Sequence, residues 1–488
     1  MRRVSALLRG QAFLSPSAFS VTNRSFFNLT AAQPSGRPAT ESGQPTPISH
    51  PSLLKAGEIM PGISSAEFEK RRTALAQHIP PGGAALLSSA EMKYMAGVIP
   101  YPYRQDSDYL YLTGITQPGT ATLLERSGDG KQYTYSLFVP EADAHAEQWN
   151  GWMLDKASAE EVFGAHQVFT MGELGSELRK CLGRMSASEG ARLLFHKGLE
   201  GTPDARAALA ASNAPLAPNA LRPVMHHLRW RKSPAEVEVM RRSAELSAAA
   251  MSRCMAESHG GVEENTLASI FEYDTRRGGA QRMAYPQVVA GGASANIIHY
   301  SRNDKAVLDG EMVLMDAGCE YYGYASDITR TWPVNGRFTS AQREVYEAVL
   351  DVHRQCLEAS VEGGTLRELH YLSVRTLSEA LRQFGLPHSG SSYRRFYPHN
   401  LGHWLGLDTH DVAHVSLDRP MEPGVVLTVE PGLYIPDADD IPKGLRGIGV
   451  RLEDDIVVTG KGPADVLTKN VPLDPEDVEA LVGSVMPP

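Results

Sequence analysis

The chain has 488 residues, 42% hydrophobic and 21% charged, and a formal net charge of −10. That is room for two or three domains of ordinary globular composition. The acidic balance, with no basic stripe, argues against a nucleic-acid surface, and no apolar run approaches the roughly 20 residues of a membrane helix.

Residues 1–40 carry Arg2, Arg3, Arg9, Arg24 and Arg37, are rich in Ser and Ala, and hold no acid. This is the composition of a mitochondrial targeting segment directed to the matrix, because a secretory signal would show a compact apolar core; a merely disordered tail is the alternative. Arg24-Ser25-Phe26-Phe27 looks like a matrix-processing site. A cut there removes four arginines and no acid, so the charge moves from −10 to −14.

Residues 41–62, dense in Pro, Gly, Ser and Thr, read as a linker. A helix follows over Ala66 to Ile79, with Phe68, Leu75 and Ile79 at helical spacing and Pro80-Pro81-Gly82-Gly83 as its stop. Residues 84–87, 120–124 and 133–139 read as strands. Strands mixed with helices over 63–200 predict an α/β domain, and 201–232 its connection to a second. Ser233-Pro234-Ala235-Glu236 is a capping box with Pro at the first helical position. Val237, Met240, Ala244, Ala248 and Met251 then follow one face as core. Further helices are expected over 340–360 and from a capping box at Thr365-Leu366-Arg367-Glu368 to Gly385. The second domain spans 233–475 and a tail 476–488, α+β by pattern alone. Cys181, Cys254, Cys319 and Cys356 lack disulfide and metal-site spacing and are expected to be reduced and buried.

Five separate pieces of this second domain end or begin on a hard metal donor. Asp316 ends Met312-Val313-Leu314-Met315, and Asp327 opens Ile328-Thr329-Arg330-Thr331. His403 sits within His399-Asn400-Leu401-Gly402-His403-Trp404. Glu430 ends Val425-Val426-Leu427-Thr428-Val429, and Glu453 follows Gly449-Val450-Arg451-Leu452. Singly, each carboxylate reads equally well as a turn or cap residue. Together, four carboxylates and one imidazole suit a pair of divalent ions such as Mn²⁺ better than a thiolate-bound zinc. Apolar strands that each deliver a carboxylate need a shared cation to offset its burial.

Met315-Asp316-Ala317-Gly318, Ser326 to Thr331, His399 to Asp411, Glu430 to Tyr434 and Gly447 to Asp454 resemble the successive site motifs of the M24 metallopeptidases. Tyr103 to Gly114 resembles the amino-terminal domain of the aminopeptidase P branch. The resemblance implies a pita-bread catalytic domain, with helices outside and a curved antiparallel sheet inside. It implies two divalent ions per chain, Mn²⁺ first with Co²⁺ or Zn²⁺ compatible, held by Asp316, Asp327, His403, Glu430 and Glu453. Glu430 would also be the general base. His410 would stabilise the tetrahedral intermediate, and His299 and His399 would position the substrate. Arg451 would orient the carboxylates. Tyr434 would line the substrate pocket or, equally well, be a core aromatic, and Asp108 would face the pocket or the catalytic domain of its own or a neighbouring subunit. His414 has no motif support and reads as structural. After Trp149-Asn150-Gly151 the family often has basic residues, and here Trp152-Met153 stand instead.

The implied activity is removal of a single residue from a peptide or protein amino terminus. Two substrate versions exist in the family, one cleaving X-Pro bonds and one trimming imported proteins after presequence removal. The targeting segment favours the second. A prolidase-type dipeptidase is the alternative enzyme, and a binding module that has lost catalysis the alternative of another class. Self-association into a dimer or tetramer is compatible with all of them.

Overall fold

Helix α1 (Ser65–His78) ends where expected: Pro80 pushes Ile79 to an extended conformation, φ −79° and ψ 129°. Its Phe68 and Leu75 are fully buried. This computed structural model describes residues 42–185, 189–198 and 201–485. The targeting segment and the Arg24–Phe27 motif lie outside the described residues.

After α1 come β1 (Ala84–Ser88), α2 (Ser107–Thr113), β2 (Ala121–Arg126), β3 (Tyr133–Val139), β4 (Gln167–Thr170), β5 (Leu193–Phe195) and β6 (Leu216–Pro218). The six strands form one sheet in the order β6-β5-β1-β2-β3-β4. β1, β2 and β3 are antiparallel neighbours, while β5 and β6 join as parallel strands, as does β4. Because side chains alternate along a strand, both faces of β1 are used. Ala85 and Leu87 pack with Phe68 and Leu75, and Ala84 and Leu86 pack with Leu178 and Leu182.

The sheet reaches further along the chain than expected, since β6 lies inside the segment read as a connection. Three residues ending in Pro218 carry no readable alternation, and proline is tolerated there because the strand is an edge.

Helix α3 (Leu221–Trp230) leads into α4 (Pro234–Ala256), whose capping box forms between Ser233 and Glu236. Met240, Ala244, Ala248 and Met251 are buried, and Val237 is half-buried. Next come α5 (Glu264–Arg277), β7 (Val288–Gly291), β8 (Met312–Ala317), β9 (Ile328–Pro333), α6 (Ser340–Ala359) and α7 (Leu366–Gln383). The last strands of the site are β10 (Val426–Val429), β11 (Gly432–Tyr434), β12 (Gly449–Arg451) and β13 (Asp454–Val457).

β7-β8-β9 is an antiparallel sheet, and β10 with β13 and β11 with β12 are antiparallel pairs. A bridge from Thr329 to Glu453 ties β9 to the turn between β12 and β13. Met251, Phe271, Val345 and Leu377 of the four helices share one core with Val313, Met315, Leu427 and Val450 of the strands. Each such side chain contributes about 1.5–3 kcal/mol by leaving water. The expected tail is also partly structured, as helix Pro475–Leu481 with Val478 buried. All four cysteines are free and buried. Among the described residues no helix is long and apolar enough to cross a membrane.

Candidate metal centre and active site

The strand pairings assemble the donors. Asp316 on β8 faces Thr329 on β9, and Thr329 in turn bridges Glu453. Asp327 stands two residues before Thr329 and so points to the same face of the strand. His403 is registered against β10 by two bonds. The Thr428 amide donates to the His403 carbonyl at 3.0 Å, and the His403 amide donates to Thr428 Oγ1 at 3.1 Å. Glu430, just past β10, is fixed by its amide donating to Leu401 O at 2.8 Å. Gly402 makes this approach possible, because a Cβ there would meet Thr428 O at 2.0 Å.

His403 Nε2 then lies 3.4 Å from Asp327 Oδ2 and 3.6 Å from Glu430 Oε1. Donor atoms of Asp327, His403 and Glu453 all fall within 4.8 Å of one another. Asp316 is joined to them through Tyr285, whose hydroxyl donates to Asp316 Oδ1 at 2.6 Å and also contacts Asp327. Arg451 Nη2 donates to the other Asp316 oxygen at 2.6 Å, and its Nε donates to Thr329 Oγ1 at 3.1 Å. The group lines a cavity of about 580 Å³ with His299, His410 and Arg104. A second arm of about 650 Å³ runs past His299, His399 and His403 to Arg367 and Leu417.

The electrostatics test whether a dication belongs here. Burial, then Asp327, Glu430 and Asp316, push the Glu453 carboxyl well above its ordinary range. Burial lifts Glu430 to about 7 despite the pull of His403 and Arg451. Burial also raises Asp316, against Arg451 and with Asp327. His403 rises to about 9, because Asp327 and Glu430 outweigh its burial. One guanidinium and one imidazolium therefore leave the carboxylates under-compensated. Divalent cations preferring oxygen and imidazole donors fit this set.

The histidines sort by their partners. Tyr434 OH accepts from Arg451 Nη1 at 2.8 Å, so its proton goes to His399 Nε2, also at 2.8 Å. His399 Nδ1–H then donates to Asn400 O at 2.7 Å. Burial first, and Arg451 next, push His399 down to about 3, so it is neutral. His410 packs edge-on to His403 at 4.3 Å between ring centroids, and burial followed by His403 lowers it as well. His299 lines both arms.

Tyr434 takes the core-aromatic reading: it is 3% exposed and braces His399 from behind instead of forming the wall. Asp108 faces the catalytic domain through its ion pair with Arg229, without entering the pocket lining. A tyrosine at a strand end and an aspartate in a polar motif carry no local sign of which neighbour they meet.

Tyr285 was not anticipated: a lone tyrosine after the short strand Arg282–Met283 gives no signal. Its hydroxyl orients two carboxylates at once. Tyr285→Phe is expected to weaken metal binding about 10- to 100-fold, the usual cost of losing such a bond behind a ligand. Competition titration against a chelator measures it, and unchanged affinity would discard this role.

Residues 238–460 match metallopeptidase family M24, and residues 68–188 match the aminopeptidase P amino-terminal domain. The mitochondrial intermediate cleaving peptidase 55 of Arabidopsis thaliana is 39% identical over 449 residues, covering 91% of this chain and 88% of that protein. The Xaa-Pro aminopeptidase of Escherichia coli is 38% identical over 439 residues, 87% of this chain and 99% of that one. Among solved structures, zinc-substituted E. coli aminopeptidase P in complex with product aligns with a TM-score of 0.80 at 37% identity. That alignment covers 86% of this chain and 98% of that one.

Proposed function

The chain belongs to metallopeptidase family M24, and on that premise we propose that it is a mitochondrial matrix aminopeptidase that removes a single residue from amino termini of imported proteins after presequence cleavage. The observation that carries this is the convergence of Asp316, Asp327, His403, Glu430 and Glu453 at the floor of one cleft beside His299 and His410. The arginine-rich, acid-free residues 1–40 and the likeness to the Arabidopsis mitochondrial enzyme support the location and the substrate class.

The five donors would hold two divalent ions, Mn²⁺ by hardness, with Co²⁺ and Zn²⁺ compatible with the same atoms. Bound there, the ions supply Lewis acidity towards the attacking water and the scissile carbonyl. The rest falls to the chain's own groups. Glu430, whose ordinary acidity is already weakened by burial, takes the proton of the attacking water and returns it to the departing amine. His410 offers an N–H to the oxygen that gains charge, and as a neutral imidazole it can do so without surrendering a proton. His399, locked by Tyr434 and Asn400, and His299 orient the residues on either side of the bond. Arg451 holds Asp316 and Tyr434 in place for both tasks.

The likeness to the E. coli Xaa-Pro aminopeptidase favours a second reading, cleavage before proline, in which the missing N–H and fixed φ define the neighbouring subsite. Protein lacking residues 1–26 and loaded with Mn²⁺ separates the two, with His403→Ala as control. Tyrosine release from Tyr-Ser-Ala-Ala-Ser at least as fast as from Tyr-Pro-Ala-Ala-Ser is the expected result. Release from the proline peptide alone would replace it with the Xaa-Pro reading, and release from neither would point to dipeptides and a prolidase.

A further inference from the structure

The loop that carries His410 is gripped from behind. Arg229, at the end of α3, has a side chain only 3% exposed and meets three carboxylates. Its Nη1 donates to Asp108 Oδ1 at 2.5 Å, and its Nη2 donates to Asp408 Oδ2 at 2.9 Å and contacts Asp411. Asp108 belongs to α2 in the amino-terminal domain, whereas Asp408 and Asp411 bracket Thr409 and His410 on the cleft.

The other polar groups at the loop act in the same sense. Lys232 Nζ lies 3.0 Å from Asp411 Oδ2. Arg104 Nη2 and Ser107 Oγ, both from the amino-terminal domain, donate to Asp408 Oδ1 at 3.2 and 2.7 Å. Arg104 Nη2 also donates to Leu407 O at 2.6 Å. Gly406 leaves the room, since a Cβ there would meet Asp411 Oδ2 at 2.3 Å and Lys232 Nζ at 2.9 Å. Burial alone would raise Asp408, yet Arg229 and Arg104 hold it down to about 2.

A separate sign shows that the loop is held and does not simply relax there. Val412, next to Asp411, has φ +41°, a left-handed conformation that a β-branched residue resists. Such a backbone persists only where surrounding contacts over-determine it. Here these include the Arg229 and Lys232 pairs on Asp411, the Asp411 amide on Trp404 O at 2.8 Å and the Val415 amide on Val412 O at 2.8 Å.

We infer that Arg229 is a positioning residue for the reaction: by binding Asp108 together with Asp408 and Asp411, it lets the amino-terminal domain set His410 against the metal centre. The inference rests on the aminopeptidase reading and on the role given there to His410. It assigns the amino-terminal domain a part in turnover through a three-way ion pair centred on the buried Arg229, which itself lies outside the cleft lining.

A double-mutant cycle tests it on the full-length, metal-loaded enzyme, using Arg229→Met, His410→Ala and the two combined. Bound metal, Tm, kcat and KM are read for each with the peptide the wild type cleaves. Arg229→Met is expected to lower kcat about 10- to 100-fold, with KM within about threefold and metal content unchanged. In the His410→Ala background the same substitution is expected to change kcat less than about twofold, because the group it positions is gone. Arg229→Lys, which keeps the charge but not the three-way fork, is expected to recover part of the loss.

An equal fall in kcat in both backgrounds, or metal lost along with activity, would overturn the positioning role and leave the aminopeptidase reading standing. Full kcat in His410→Ala alone would overturn it by removing its target. No release from any peptide by the wild type would sink the functional reading first. If Arg229→Met does not fold, Asp108→Asn keeps the shape, removes one partner and is judged by the same cycle.

Discussion

Glu453→Gln is expected to lower kcat at least about 10³-fold and to reduce bound metal, while leaving metal-stripped protein as stable as the wild type or more so. The two effects have opposite signs because the four carboxylates that would serve an ion burden the fold without one. Glu453 is 1% exposed and is pushed well above its ordinary range by burial and by Asp327, Glu430 and Asp316. Glutamine keeps the shape, and its oxygen can still accept from Thr329 Oγ1, which lies 2.5 Å from Glu453 Oε2. What is lost is a charge. With metal bound, that charge is worth several kcal/mol, hence the 10³ in rate. Without metal, Glu453 keeps its place only by holding a proton well above its ordinary range, and glutamine, already neutral, is spared that cost. Metal analysis, tyrosine release and calorimetry on stripped and reloaded protein read the three quantities. Retained metal with turnover within tenfold of wild type would refute the ligand assignment. A stripped variant melting well below stripped wild type would refute the electrostatic account.

How far the site was legible follows from how each residue reaches it. Asp316 and Glu430 could be picked out because each ends an apolar run, and a carboxylate at the end of a buried strand asks for a partner. Asp327 and Glu453, beside mixed runs, stood out only as members of the set. His403 needed its motif, since its place is set by Thr428, 25 residues away. Tyr285, Arg104 and Arg229 escaped for the same reason more strongly: Arg229 meets Asp108, 121 residues earlier, and Asp411, 182 residues later. Nothing local distinguishes such an arginine from the many that cap surface acids. The fold divides likewise. α1, α6 and α7 were readable from caps and 3.6-residue spacing within one or two residues at their ends, and α4 at its start. β6 was not, because a three-residue edge strand acquires its identity only from the neighbour it pairs with.

Metal affinity is expected to rise at least about 10²-fold between pH 6.5 and 8.5, while the stability of metal-stripped protein falls over the same range. Both follow from protons competing for the donor atoms. His403 must present a bare Nε2 to an ion, yet Asp327 and Glu430 hold it protonated up to about 9. Each pH unit below that value therefore costs roughly tenfold in affinity, and Glu430, at about 7, with Glu453, held well above its ordinary range, adds further competing protons. For stability, the sign is fixed by which state binds more protons. An unfolded histidine titrates near about 6.5 and an unfolded glutamate near about 4.3. The folded, metal-free chain holds both protons more tightly, so stability falls as pH rises through this window. His399, pushed down to about 3, works the other way only below about 6.5, which sets the lower limit of the test. Titration calorimetry with Mn²⁺ and thermal melts of stripped protein at pH 6.5, 7.5 and 8.5 check the pair. Affinity flat across the range would mean that His403 and Glu430 do not share their protons with the metal. His403→Gln should make both curves shallower above pH 7.5, because one of the groups whose protons the metal displaces there is gone.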